Sequence, residues 1–158
     1  MDTYLLVRLI HILSATLLFG TGLGSAFYMW RAHKSGNVQV IADVSRNVVL
    51  ADWLFTTPTV LIQPISGLWL LSTRGYALTE PWILVSLVLY ALAGSCWLPV
   101  VWLQIRMRNL ADSALRGKTA LDARYHHYMR WWFLLGWPAF ASVLVIYALM
   151  VFKRLPGW

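Results

Sequence analysis

Residues 4–30 read YLLVRLIHILSATLLFGTGLGSAFYMW, and this stretch decides the class of fold. Apart from the titratable His11, only Arg8 brings a charge into it. A helix needs about 20 apolar residues to cross the hydrocarbon core of a bilayer. The stretch is longer than that and has no basic residues before its apolar run, so it predicts a retained transmembrane helix and not a cleaved signal peptide.

Three further apolar runs follow the first one. The chain is 59% hydrophobic and 12% charged, whereas a soluble domain is about 45–50% apolar and about 25% charged. The runs are nearly continuous and lack the alternation of a membrane β-barrel strand. They cover residues 48–72, 82–105 and 131–152. The sequence therefore predicts an all-α bundle of four transmembrane helices.

The whole chain, 1–158, is expected to form one integral membrane domain. We place its helices at about 4–35, 38–73, 80–108 and 120–153. Gly36 is expected to stop the first helix in the left-handed conformation, and Thr119 with Asp122 resembles a capping box before the last helix. Residues 106–118 are polar with one apolar face, which favours a segment lying along the lipid headgroups.

Basic residues concentrate in two connections of this bundle. The net charge is +7, yet alternate loops carry most of it, as the positive-inside rule requires of a bacterial inner-membrane protein. The opposite side has Arg74, Lys153 and Arg154. Both termini are therefore expected outside, and the charge needs no nucleic-acid partner. The basic residues of the two connections are Arg31, Lys34, Arg46, Arg106, Arg108, Arg116, Lys118, Arg124 and Arg130.

Ionisable residues inside a span are expensive and indicate functional sites. Arg8 and His11 are three residues apart and share a helix face. A neutral imidazole can ligate haem iron, and a guanidinium beside it can bind a propionate. Side chains expected at the same depth are Gln63, Ser66, Tyr90 and Tyr147. The alternatives are that Arg8 snorkels to headgroups and His11 bonds a neighbouring helix.

A second polar cluster is expected near the basic connections. His33, His126 and His127 come from two helices at one depth and could bind a metal or clasp a haem, with Asp52 orienting an imidazole. The alternative is a buried ion pair between Asp52 and Arg130, beside solvated histidines near anionic lipid. A quinone or porphyrin could also use such an edge.

Several motifs resemble a bacterial family of predicted integral membrane proteins of unassigned function. They span nearly the whole chain: LIHILSA (9–15), FGTGLG (19–24), LADWLFT (50–56), QPISG (63–67), LTEPW (78–82), WLPVVWLQIRMR (97–108) and GWPAF (136–140). This resemblance implies the membrane architecture and leaves the activity open.

The start of the first helix and the segment SGLWLL (66–71) are also distantly similar to HemJ-type protoporphyrinogen oxidases and CopD-type membrane proteins. In the HemJ type a first-helix histidine is implicated in binding haem b, and the resemblance implies that role for His11. The third-helix lysine of the HemJ type has no counterpart between Trp82 and Ile105.

These observations predict a haem b protein that transfers electrons or oxidises a membrane-soluble substrate, porphyrinogen or quinol. Two alternatives stay open. One is a non-enzymatic membrane subunit or scaffold, working as a homo-oligomer or with a partner membrane protein. The other is CopD-like metal handling.

Overall fold

The computed structural model describes residues 2–153, and every regular element among them is a helix. The elements are α1 (Thr3–Ser35), α2 (Val38–Ala51), a π-helical segment (Asp52–Thr56), α3 (Thr57–Thr73), α4 (Pro81–Gly117) and α5 (Ala123–Phe152). The elements form four continuous helical rods, because α2, the π-helical segment and α3 run on as one, Val38–Thr73. Each rod is long and apolar enough to cross a membrane, which confirms the predicted all-α bundle. Arg154, counted above for orientation, lies outside the described residues.

The bundle has two ends that differ in charge. We call the end with the connections at residues 36–37 and 118–122 the basic end, because the nine basic residues counted above lie towards it. The opposite end, with residues 2 and 153 and the connection at 74–80, is called the terminal end. There the Arg74 guanidinium lies 4.3 Å from the centre of the Tyr4 ring.

The helix ends follow local chemistry. Gly36 has φ 65° and stops α1, as predicted. The α5 helix begins at Ala123 and not near residue 120, because the Asp122 carboxylate itself caps the helix by accepting a bond from the Arg124 backbone N–H at 2.8 Å. The side-chain hydrogen bond from Arg124, with that backbone bond, lowers the pKa of Asp122 to about 2.

The α4 helix is longer than predicted. It continues to Gly117 and not to about residue 108, so residues 106–117 are not a separate segment along the headgroups. The physical reason is packing, because the apolar face formed by Met107, Ala111 and Ala114 is buried inside the bundle. An ion pair of 2.7 Å between Arg46 of α2 and Asp112 holds the same segment from outside.

The π-helical segment precedes Pro58. A proline has no N–H and its ring clashes with the carbonyl four residues earlier, so the preceding turn of the helix loses its regular bonds. The Thr59 hydroxyl donates to the Phe55 carbonyl in this turn at 2.7 Å. The wider turn that results places Asp52 towards the bundle interior, where it is 5% exposed.

Packing is uneven along the bundle. The large buried cluster lies at the basic end, where the last turns of α1 and α4 meet α2 and the first turns of α5. At the terminal end, the small cluster of Trp82, Ile83 and Leu149 joins only α4 to α5. The α1 helix packs on α3 towards the terminal end and on α2 towards the basic end. It approaches α5 closely at a few positions only. The terminal end therefore consists of two helix pairs, α1 with α3 and α4 with α5.

Large apolar side chains cover the outside of all four rods. They include Leu13, Ile65, Val88 and Val145, one on each rod, and all are exposed. Such a surface is stable in lipid and not in water. The exposure pattern therefore agrees with four membrane spans.

Candidate functional site

His11 of α1 contacts α3 through a specific hydrogen bond. Its Nδ1 lies 2.8 Å from the Ser66 hydroxyl oxygen. The same hydroxyl donates its proton to the carbonyl of Ile62 at 2.6 Å. Because a serine hydroxyl has one proton, Ser66 accepts from His11 when that proton lies on the bond to Ile62. With this arrangement of protons, the imidazole is the tautomer with a proton on Nδ1.

The other ring nitrogen of His11 is left with a free lone pair. No described residue forms a hydrogen bond with Nε2. An imidazole whose Nδ1–H is oriented by an acceptor, with Nε2 free, is the arrangement that metal-ligating histidines adopt in proteins. The site therefore offers one neutral nitrogen ligand in a fixed orientation.

Gly67 makes room for this imidazole. A Cβ atom at position 67 would lie 3.2 Å from Cε1 of His11, which is tighter than ordinary packing. The ring therefore packs closely on the backbone of α3 at Gly67. The sequence predicted His11 and Gln63 but missed Gly67 as a site residue, although its place beside Ser66 in the QPISG motif was the available signal.

Gln63 holds the backbone beneath His11. Its Nε2 donates to the His11 carbonyl at 2.8 Å and to the Ser14 hydroxyl at 2.5 Å. Ser14 in turn donates to the same carbonyl at 3.1 Å. We call His11, Ser14, Gln63 and Ser66 the polar seam, because they join α1 to α3. The sequence analysis did not predict Ser14 as a site residue, because no pattern distinguishes a serine inside an apolar run.

The other residues predicted around His11 lie apart from it. Arg8 is exposed one turn nearer the terminal end, and no described residue pairs with it. The Tyr90 hydroxyl donates to the carbonyl of Val60, bridging α4 and α3. The Tyr147 ring packs edge-on against Phe19, with 5.7 Å between ring centres. Neither tyrosine bonds His11, and their role towards a cofactor stays a prediction.

The predicted three-histidine cluster does not form. The rings of His33 and His126 lie 5.6 Å apart, but His127 faces away from them and packs against Trp131. Consecutive residues are separated by about 100° around a helix, so only one of the two neighbours can face α1. Among residues 2–153, no group of three or more His, Cys, Asp or Glu side chains is placed to hold a metal ion.

The ion pair between Asp52 and Arg130 is also not formed. Asp52 accepts a bond from the Thr56 hydroxyl at 2.8 Å, and its other carboxyl oxygen is buried without a described partner. Its neighbour from α4 is the buried Gln104, which the sequence did not single out. Arg130 instead lines a groove between α1 and α5. The two side chains therefore face different parts of the bundle.

Two grooves open at the basic end, on different sides of the bundle. One lies between α1 and α5 and has a volume of about 320 Å³. The other lies between α2 and α4, has a volume of about 440 Å³, and includes Arg46, Arg108 and Arg116. The α1–α5 groove is lined by Trp30, His33, Lys34, His126, Met129, Arg130 and Phe133.

The comparisons with known proteins agree with this architecture. No curated protein and no solved structure matches the chain. The family model DUF2269, described as a predicted integral membrane protein, matches residues 5–154. Because this match covers nearly the whole chain, the protein belongs to the DUF2269 family of predicted integral membrane proteins.

Proposed function

We propose that this protein binds haem b in the bacterial inner membrane and passes electrons between a membrane-soluble donor and an acceptor. His11 would hold the haem iron through Nε2. The observation that carries the proposal is the hydrogen bond from Nδ1 to Ser66, which leaves the Nε2 lone pair free and fixed in direction. When bound, haem iron would supply the one-electron redox chemistry.

Features around His11 support the proposal. Gly67 lets the ring lie against α3, and contacts of the long side chains of Tyr90 and Phe19 bridge the two helix pairs of the terminal end. Arg8 lies one turn from His11 on the same helix, and its guanidinium is free to bind a carboxylate. These residues would bind and orient the group, and the lipid-facing surface would admit a substrate of the porphyrinogen or quinol class.

The direct test is an absorption spectrum of the protein purified in detergent from haem-replete cells, in oxidised and reduced form. We expect a Soret band in the wild type, its loss in His11→Ala, and a shifted or weakened band in Ser66→Ala, because Ser66 orients the ligand. His127→Ala is the matched control, since this histidine is exposed at the other end of the bundle. A wild type without a Soret band, or an unchanged spectrum in His11→Ala, would contradict the proposal.

A second candidate function is that of a non-enzymatic membrane subunit. The supporting observation is that Gly20 and Gly24, four residues apart, share one face of α1, and a Cβ atom at either would meet nothing within 4 Å, so this face is open to a further helix. The partner would be a second copy or another membrane protein. If Gly20→Leu abolishes assembly while His11→Ala leaves the spectrum unchanged, the polar seam serves packing alone.

A further inference from the structure

The groove between the end of α1 and the start of α5 is flanked by two cations without acidic partners. Lys34 lies on the α1 side and Arg130 on the α5 side. Neither forms a salt bridge with a residue in the described range 2–153, and no acidic side chain lines the groove. This combination gives the groove a net positive charge.

The other groove of the basic end differs in this respect. There Arg46 is held between Asp43 at 2.9 Å and Asp112 at 2.7 Å. Two carboxylates therefore already satisfy its guanidinium. Arg108 and Arg116 of the same groove form no described salt bridge, so general attraction to an anionic surface would act on both grooves. The difference is that the carboxylate of Asp112 lines the α2–α4 groove, whereas no acidic side chain lines the α1–α5 groove.

Polar atoms inside the α1–α5 groove also lack partners. Nδ1 of His33 is buried with no described hydrogen-bond partner, and the His33 ring lies 5.6 Å from that of His126. The His126 ring is exposed at the wall of the groove and forms no described hydrogen bond. A ligand with several oxygen atoms in the groove would accept from an imidazole N–H.

The groove continues into the membrane-facing surface. Trp30 and Phe133, which are 39% and 43% exposed, lie about one turn from the cations in the direction of the spans. Aromatic rings at this level are typical of the boundary between headgroups and acyl chains. A ligand that fills the groove therefore has a compact anionic head and an apolar chain.

We propose that the α1–α5 groove is a binding site for an anionic phospholipid. The phosphate lies between Lys34 and Arg130, His33 and His126 face the headgroup, and an acyl chain runs along Trp30 and Phe133. This site is at the opposite end of the bundle from His11, so it does not depend on the proposed haem binding.

The test compares phosphatidylglycerol with phosphatidylcholine of the same acyl chains, added to the protein in detergent. We expect phosphatidylglycerol to raise the unfolding temperature more than phosphatidylcholine does. The double variant Lys34→Gln with Arg130→Gln should need roughly tenfold more phosphatidylglycerol for half of the effect, because each basic residue contributes to binding an anionic lipid. Arg116→Gln in the other groove is the control for general charge and should bind as the wild type does.

Native mass spectrometry of retained lipids gives a second measurement on the wild type, which does not require the variants to fold. Retention of phosphatidylglycerol in preference to phosphatidylcholine supports the site. Equal stabilisation by both lipids, or an equal loss in Arg116→Gln, would overturn it. Inorganic phosphate serves as the probe for a site that takes the head alone, and a stabilisation by phosphate equal to that by the lipid would also overturn it.

Discussion

The two ends of the bundle are built by different forces. At the basic end, all four rods contribute to one buried apolar cluster. At the terminal end, α1 is joined to α3 by the polar seam, while α4 and α5 share a small apolar cluster. Regions with few buried contacts open most easily and commonly carry function. The comparison teaches that stability is concentrated at the basic end, whereas the ligand-like histidine lies at the looser one.

The largest expected effect is the loss of stability when a buried side chain of the basic end is shortened. Met107 is fully buried in the cluster of the basic end, so Met107→Ala should destabilise the protein by roughly 2 kcal/mol or more. Ile65 of α3 is 70% exposed, and Ile65→Ala should change stability by less than about 0.5 kcal/mol. Unfolding in mixed detergent micelles measures both. Similar losses of stability in the two variants would contradict the concentration of stability at the basic end.

The next effect concerns the space beneath His11. Gly67→Ala places a Cβ 3.2 Å from the imidazole, so it should destabilise the α1–α3 pair by about 1–2 kcal/mol and displace the ring. Gly94→Ala is the matched control, because a Cβ there meets nothing within 4 Å and alanine favours a helix. Its stability should equal or exceed that of the wild type. If Gly67→Ala behaves like Gly94→Ala, the close packing of His11 on α3 is disproved.

A smaller effect measures the polar seam itself. Gln63→Leu removes the bonds to the His11 carbonyl and to Ser14, and hydrogen bonds between membrane helices contribute about 1 kcal/mol. Ser95→Ala removes a hydroxyl that bonds only its own helix, and it should be nearly neutral. The same unfolding assay applies. A neutral Gln63→Leu would show that α1 and α3 are held by apolar contacts instead.

The smallest effect depends on pH and compares two helix caps. Asp122 caps α5 at the basic end and Asp2 caps α1 at the terminal end. Because the pKa of Asp122 is lowered in the folded protein, its contribution to stability is present above pH 4 and is lost as the pH falls towards 2. Asp122→Ala should lower the unfolding temperature slightly at pH 7, and the difference from the wild type should vanish near pH 2.

Asp2→Ala removes a cap without affecting the basic end, so it serves as the control. We expect a smaller decrease than for Asp122→Ala, because Asp122 also bonds the Arg124 guanidinium. A difference that persists unchanged at pH 2 would show that the Asp122 carboxylate is not the source of the effect.

The sequence predicted the rods well, because apolar run length and glycine chemistry are local properties. Gly36 ends α1 as expected, and Gln63 lies beside His11 as expected. The predicted end of α4, at about residue 108, was wrong. Residues 106–117 continue the helix because one face of them is buried against other helices, and hydropathy does not report such packing. The predicted partners of Asp52, an imidazole or Arg130, were wrong as well, because the π-helical segment changes the direction in which residue 52 faces.

The sequence by itself determined that the chain is a membrane protein of four helices with basic connections. These features follow from the energetic requirement that apolar helices span lipid and that charges stay near water. Only the tertiary structure decided which side chains meet: Ser66 and Gly67 beneath His11, His33 with His126, and Arg130 without Asp52. The physical reason is that such pairings depend on helix rotation and register, which residues distant in the sequence set together.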